Sequence, residues 1–166
     1  LGFARHLPEC GWDPVILAPN PRAYASIDRK QMSLVPDNLA VQRSFCLDSA
    51  RHLAIRGRYP DWLAVPDRWI SWVPGAFLSG IRLIRNRQPD AIWSTYPIAS
   101  SHVIGNLLSK LTKIPWIADF RDPMVEYDTR TGEPTPADPS IRNARLKIEA
   151  TCAENASAMV FCTEQA

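Results

Sequence analysis

Nowhere in this chain of 166 residues do apolar residues continue for the roughly 18 positions that a membrane-crossing helix needs. A helical span is therefore excluded within it. No G-x-x-x-x-G-K-[ST] is present, which excludes the phosphate cradle of a P-loop NTPase. No G-x-G-x-x-G follows a strand, and no G-x-S-x-G supplies a nucleophile elbow. Histidine is scarce, with three scattered residues and no ligand cluster beside them, so nothing closes a metal site and no cofactor is expected. The four cysteines, Cys10, Cys46, Cys152 and Cys162, lack C-x-x-C spacing and lie in or beside apolar segments. That pattern predicts free thiols and a cytoplasmic setting. A net charge of +2 is too small to imply a nucleic-acid partner. Internal repeats and low-complexity tracts are also missing.

What is present has a clear rhythm. Hydrophobic residues make up 46% and charged residues 22%, and the length is enough for one domain with its own core. Apolar runs at 14–18, 39–45, 91–95, 115–119 and 158–163 read as strands. Those at 14–18, 115–119 and 158–163 are apolar on successive residues, as in parallel strands covered on both faces. Helical patterns fall between them, at 75–88, 99–113 and 138–155. The last opens with an Asp138 cap and Pro139 in the first helical position. Strand, helix, strand in this order predicts an α/β fold: a parallel sheet with helices on both faces and right-handed crossovers. The segment 1–19 reads as the end of a helix followed by a strand, so the chain is expected to be a fragment whose natural start lies upstream.

Three stretches interrupt the rhythm: 20–38, 46–74 and the proline-rich 123–139, which reads as a loop. The second is rich in tryptophan and arginine. Trp62, Trp69 and Trp72 beside Arg51, Arg56, Arg58 and Arg68 suit either a membrane-surface patch or tryptophans covering the sheet while the arginines meet solvent. His102 reads as a structural histidine among apolar neighbours.

Ligands of open parallel sheets bind at the carboxyl ends of the strands. "IPWIADFRDP" at 114–123 runs an apolar strand into two carboxylates and a guanidinium. "STYP" at 94–97 and "CTEQ" at 162–165 are two further strand ends. Together they would bring Ser94, Thr95, Asp119, Arg121, Asp122, Thr163 and Glu164 to one rim. The alternative is that these residues only cap elements and that Arg121 pairs with Asp119 or Asp122 as a loop staple.

The pieces in order resemble a known family. "PDRW" at 66–69, "PDAIWSTYP" at 89–97, "SHVIG" at 101–105, "WIADFRDP" at 116–123 and the final "CTE" at 162–164 are similar to the acceptor-side, N-terminal domain of family 4 glycosyltransferases with the GT-B fold. The similarity covers nearly the whole chain and is strongest over 66–123. It implies that 1–166 form a Rossmann-like half of a two-domain retaining enzyme of hexosyltransferase type. The first strand with its glycine-rich loop and the C-terminal donor domain would be absent. Such a fragment would be inactive alone.

The resemblance implies a nucleotide-sugar donor, held mainly by the missing domain, and a sugar or lipid-linked acceptor, in cell-envelope or surface polysaccharide synthesis. Peripheral contact with the inner face of a membrane is compatible with it. Glycosyl transfer builds positive charge on the anomeric carbon and negative charge on the leaving diphosphate. Asp119 and Asp122 are the catalytic candidates, for orienting the acceptor hydroxyl or accepting its hydrogen bond. Arg121, Ser94, Thr95 and Glu164 are the substrate-binding candidates, Arg121 through a bidentate phosphate contact. Neither aspartate is expected to act as a nucleophile. Two other readings compete: a GT-B sugar-nucleotide epimerase, and a Rossmann-like module that only binds a partner.

Overall fold

The first strand, β1 (Val15–Pro19), follows a single helical turn, α1 (Gly2–His6), within the residues that a computed structural model describes, 2–36 and 38–162. After it come α2 (Arg29–Met32), β2 (Ala40–Ser44), α3 (Ser49–His52), α4 (Trp72–Arg87), β3 (Ile92–Thr95), α5 (Ala99–Thr112) and β4 (Trp116–Phe120). A two-residue hairpin, β5 (Glu126–Tyr127) with β6 (Pro134–Thr135), then leads to α6 (Pro139–Asn155) and β7 (Ala158–Phe161). The long elements fall within a few residues of their predicted positions. Helix α4 starts earlier than expected because Pro74 sits in its first turn, where a missing N–H costs no intrahelical bond. The Asp138 carboxylate caps α6, accepting from the amides of Ser140 and Ile141.

All long strands pair in parallel, β1 with β2 and, in the order β3–β4–β7, the other three. The expected single five-stranded sheet is thus divided: among the described residues no ladder joins β1 to β3. Strand pattern alone does not specify which strands are neighbours. Here the two ladders are tied through their helices, since α4 lies on β1 and β2, α5 on β3 and β4, and α4 packs against α5. The stretch 123–139, expected as plain loop, contains the antiparallel β5–β6 pair, with Glu126 opposite Thr135 and Tyr127 opposite Pro134.

Two apolar clusters form the core. One joins Trp72, Ala76, Ile104 and Leu108 of α4 and α5 to Ala23 and Cys46. The other joins Trp116, Ala118 and Phe120 of β4 to Cys152 of α6, Tyr96, Ala99 and Met124. Close approach of the helices depends on two glycines. A Cβ on Gly80 would meet Leu108 Cδ1 at 2.7 Å, and one on Gly105 would meet Trp116 Nε1 at 2.5 Å.

Strand β4 alternates strictly between buried and half-buried residues, so its continuous apolar sequence overstates its cover. Helices α5 and α6 close one face. On the other face Phe3 of α1 stacks on Trp93, with ring centroids 4.7 Å apart, and Trp93 stays 41% exposed.

Candidate active-site rim

Thr95 and Asp119 are register partners at the carboxyl ends of β3 and β4, so their side chains share the face opposite α5 and α6. The Thr95 hydroxyl donates to Asp119 Oδ2 at 2.9 Å, and the Trp93 indole N–H approaches the same oxygen at 3.4 Å. The Tyr96 amide donates to the Asp119 carbonyl at 3.0 Å. These contacts fix the carboxylate from one side and leave Oδ1 without a partner among the described residues.

Beyond the strand, Arg121 and Asp122 are exposed. The staple alternative predicts an ion pair from Arg121. Among the described residues the ion pairs are His6–Glu9 and Arg68–Asp48, so Arg121 forms none. Its side chain is exposed and without an ion-pair partner among the described residues.

Ser94 is separated from this set. One position before Thr95, it faces the helices and is buried. Its Oγ accepts from Trp116 Nε1 at 2.7 Å and lies 2.7 Å from His102 Nδ1. The indole can only donate, while the hydroxyl can accept twice and donate once, so the direction of its bond to Nδ1 follows the His102 tautomer, and this bond leaves the ring's Nε2 unused. That Nε2 is buried and has no partner among the described residues. Burial is the main cause that lowers the His102 pKa to about 4, against a smaller opposing pull from Asp119. His102 is thus a neutral structural histidine, stacked on Phe120 at 4.9 Å. The pleat, which sends neighbouring residues to opposite faces, places Ser94 on the helix side, away from Thr95 and Asp119. Thr163 and Glu164 lie outside the described residues.

A second group behind the rim was not singled out from sequence. Ile98, at the start of α5, has no side-chain oxygen to cap the helix. Asp67 of "PDRW", 33 residues before Ser100, takes that role, accepting from the Ser100 amide at 2.7 Å and the Ser100 hydroxyl at 3.0 Å. It also accepts from the Trp69 amide at 2.9 Å. Burial pushes the Asp67 carboxyl upward, while these donors and Arg145 pull it down. Arg145 of α6 donates to Tyr96 Oη at 3.1 Å, the Met124 carbonyl at 3.2 Å and, weakly, the Pro66 carbonyl at 3.4 Å. Glu149, one turn later, accepts the Met124 amide at 3.0 Å. The loops after β3 and β4 and the turn before α4 are therefore held to α6. The i,i+4 spacing of Arg145 and Glu149, which puts both on one side of the helix, was the available signal.

The tryptophans of 51–72 divide between the two readings. Trp72 is buried, its N–H donating to Ser44 Oγ at 2.7 Å, and Trp69 packs on Tyr24 and under Arg68. Trp62 is exposed.

The family described as a glycosyl transferase 4-like domain matches the chain over residues 1–166. No curated protein and no solved structure matches it.

Proposed function

Because the chain belongs to the glycosyl transferase 4-like family, we propose that it forms the acceptor-side half of a retaining, two-domain enzyme that moves a hexose from a nucleotide-sugar. It is a glycosyltransferase domain whose sheet has one rim suited to this chemistry. In this reading a second domain holds most of the donor, and 1–166 are inactive without it. The acceptor is a sugar or lipid-linked sugar of the cell envelope or surface polysaccharide, met at the cytoplasmic face of a membrane.

One observation carries the reading: Asp119 is held at the rim by Thr95 with one carboxylate oxygen unpartnered among the described residues, two positions before Arg121, which forms no ion pair among them. The free oxygen can accept the hydrogen bond of the attacking hydroxyl and orient it. Arg121 can offset the negative charge that grows on the leaving diphosphate. Asp122, exposed just beyond β4, precedes Pro123, which restricts its backbone. No protein nucleophile is invoked.

The test is turnover in the complete enzyme. Arg121→Ala and Asp119→Asn should each lower turnover per folded molecule by about tenfold or more, equivalent to roughly 1.4 kcal/mol of transition-state stabilisation. Unchanged turnover with a lower melting temperature would reject the proposal and leave the cluster as a structural feature.

A further inference from the structure

We propose that the turn at 55–62 is a docking tip for an anionic bilayer, seating the carboxyl rim of the sheet on the membrane. The inference rests on the acceptor-side reading for its purpose, while its own support is separate. Ile55 and Trp62 are the two most exposed large hydrophobic residues among those described, at 80% and 72%. They stand on a rigid support. Ile55 and Arg58 exchange backbone hydrogen bonds of 2.8 and 3.1 Å around Arg56 and Gly57, whose φ angles are 53° and 77°. Two consecutive positive φ values are those of a tight primed hairpin turn, which fixes where Ile55 and the two arginines project.

The base of the tip is anchored. The Arg68 guanidinium bonds both oxygens of buried Asp48, one of them at 2.7 Å from Nε. The Ser49 hydroxyl donates to the Leu63 carbonyl, and the Ser49 amide to the Arg68 carbonyl at 2.9 Å. Such anchoring distinguishes the tip from a loose loop that exposes apolar side chains only by fluctuating.

Charge indicates the partner. Between 51 and 62 stand Arg51, Arg56 and Arg58, with Asp61 as the one acid. Among the described residues none of the three arginines forms an ion pair. An aliphatic and an indole side chain within a cationic collar match the headgroup region of an anionic membrane, where shallow apolar insertion and charge attraction add. A stable protein interface needs about 800 Å² from each partner, far more than two side chains on a small turn present.

The position suits the purpose. The segment leaves β2 after Ser44, at the carboxyl end of its ladder, and returns at Asp67, which caps α5 beside the β3 rim. The returning end of the segment is therefore tied to the start of α5, just after the β3 rim. A lipid-linked acceptor would reach that rim without leaving the bilayer.

The experiment is flotation of the full-length protein with phosphatidylcholine vesicles, with and without phosphatidylglycerol, over a salt series. Binding to the anionic vesicles at low salt, and release as salt rises, are expected from screening. Ile55→Ser with Trp62→Ser should reduce partitioning by about tenfold or more. Arg56→Gln with Arg58→Gln should move release to lower salt. All four positions are exposed, so the variants should retain the wild-type thermal transition, which is checked first. No binding at low salt, or equal binding by the Ile55/Trp62 variant, overturns the proposal. A lipid-free dimer that dissociates in that variant overturns it in favour of a second copy of the chain. Transfer to a water-soluble acceptor, followed in parallel, reads the catalytic proposal separately: its absence with vesicle binding intact rejects transfer and keeps the tip.

Discussion

Asp67 caps α5 from 33 residues before Ser100, with Oδ2 2.7 Å from the Ser100 amide and Oδ1 3.0 Å from the Ser100 hydroxyl. Because Asp67 is buried, this carboxylate joins the segment before α4 to the loop after β3. Asp67→Ala should cost about 2–3 kcal/mol, since it strands the amides of Ser100 and Trp69 away from water. Asp67→Asn should cost less because it keeps an acceptor oxygen. Denaturant unfolding of the two variants checks the order. Equal losses would mean that the negative charge matters more than the acceptor oxygen.

His102 makes stability depend on pH. Its folded-state pKa, about 4, lies below the ordinary 6.5. The unfolded chain therefore binds the proton first as pH falls. Stability from this group is complete above the ordinary value and is lost as pH drops through the window between the two. Between about pH 7 and about pH 5 the loss should approach roughly 2 kcal/mol. Asp67, whose carboxyl is raised by burial, acts in the opposite sense near the acidic end. The comparison is therefore between wild type and His102→Gln, and the variant should show a flatter stability–pH curve. Parallel curves would reject the assignment.

Gly105 allows α5 to lie against β3 and β4. A methyl group there would meet Trp116 Nε1 at 2.5 Å and Ser94 Oγ at 3.1 Å, two members of the Trp116–Ser94–His102 chain. Gly105→Ala should destabilise by about 1–3 kcal/mol despite its better helix propensity. A calorimetric melt gives the answer, and a rise in Tm would show that the helix can move away without loss.

All four thiols are free, and they fall into two classes. Cys10 and Cys162 are exposed. Cys46 and Cys152 are buried, and burial pushes their pKa values up to about 11 and about 12. A thiol reagent near neutral pH should label two positions on the folded protein and four after denaturation. Rapid labelling of all four would indicate that the interior opens at Cys46 or Cys152.

Local chemistry was legible in the sequence. The period of the apolar residues located α4, α5 and α6, Asp138–Pro139 marked where α6 begins, and the run into "DFRD" marked a strand that ends in charge. Parallel pairing also followed, because no tight hairpin turn joins one long strand to the next. These features depend on residues near one another in the chain, where side-chain spacing and backbone preference act directly.

The rest required contacts between distant segments. Pairing partners, not strand pattern, separate the β1–β2 ladder from β3–β4–β7. The pleat of β3 sends Thr95 to the rim with Asp119 and turns Ser94 inward to His102 and Trp116, a distinction invisible until the register is known. Asp67 carries no local mark of a cap because the helix it serves lies beyond α4 and β3. Trp62 and Trp72 are the same residue type ten positions apart. Trp72 is buried where a neighbouring strand offers Ser44 Oγ to its N–H, whereas Trp62 has no such partner among the described residues. Burial and hydrogen-bond satisfaction are properties of the assembled chain, so the same side chain becomes core in one place and surface in another.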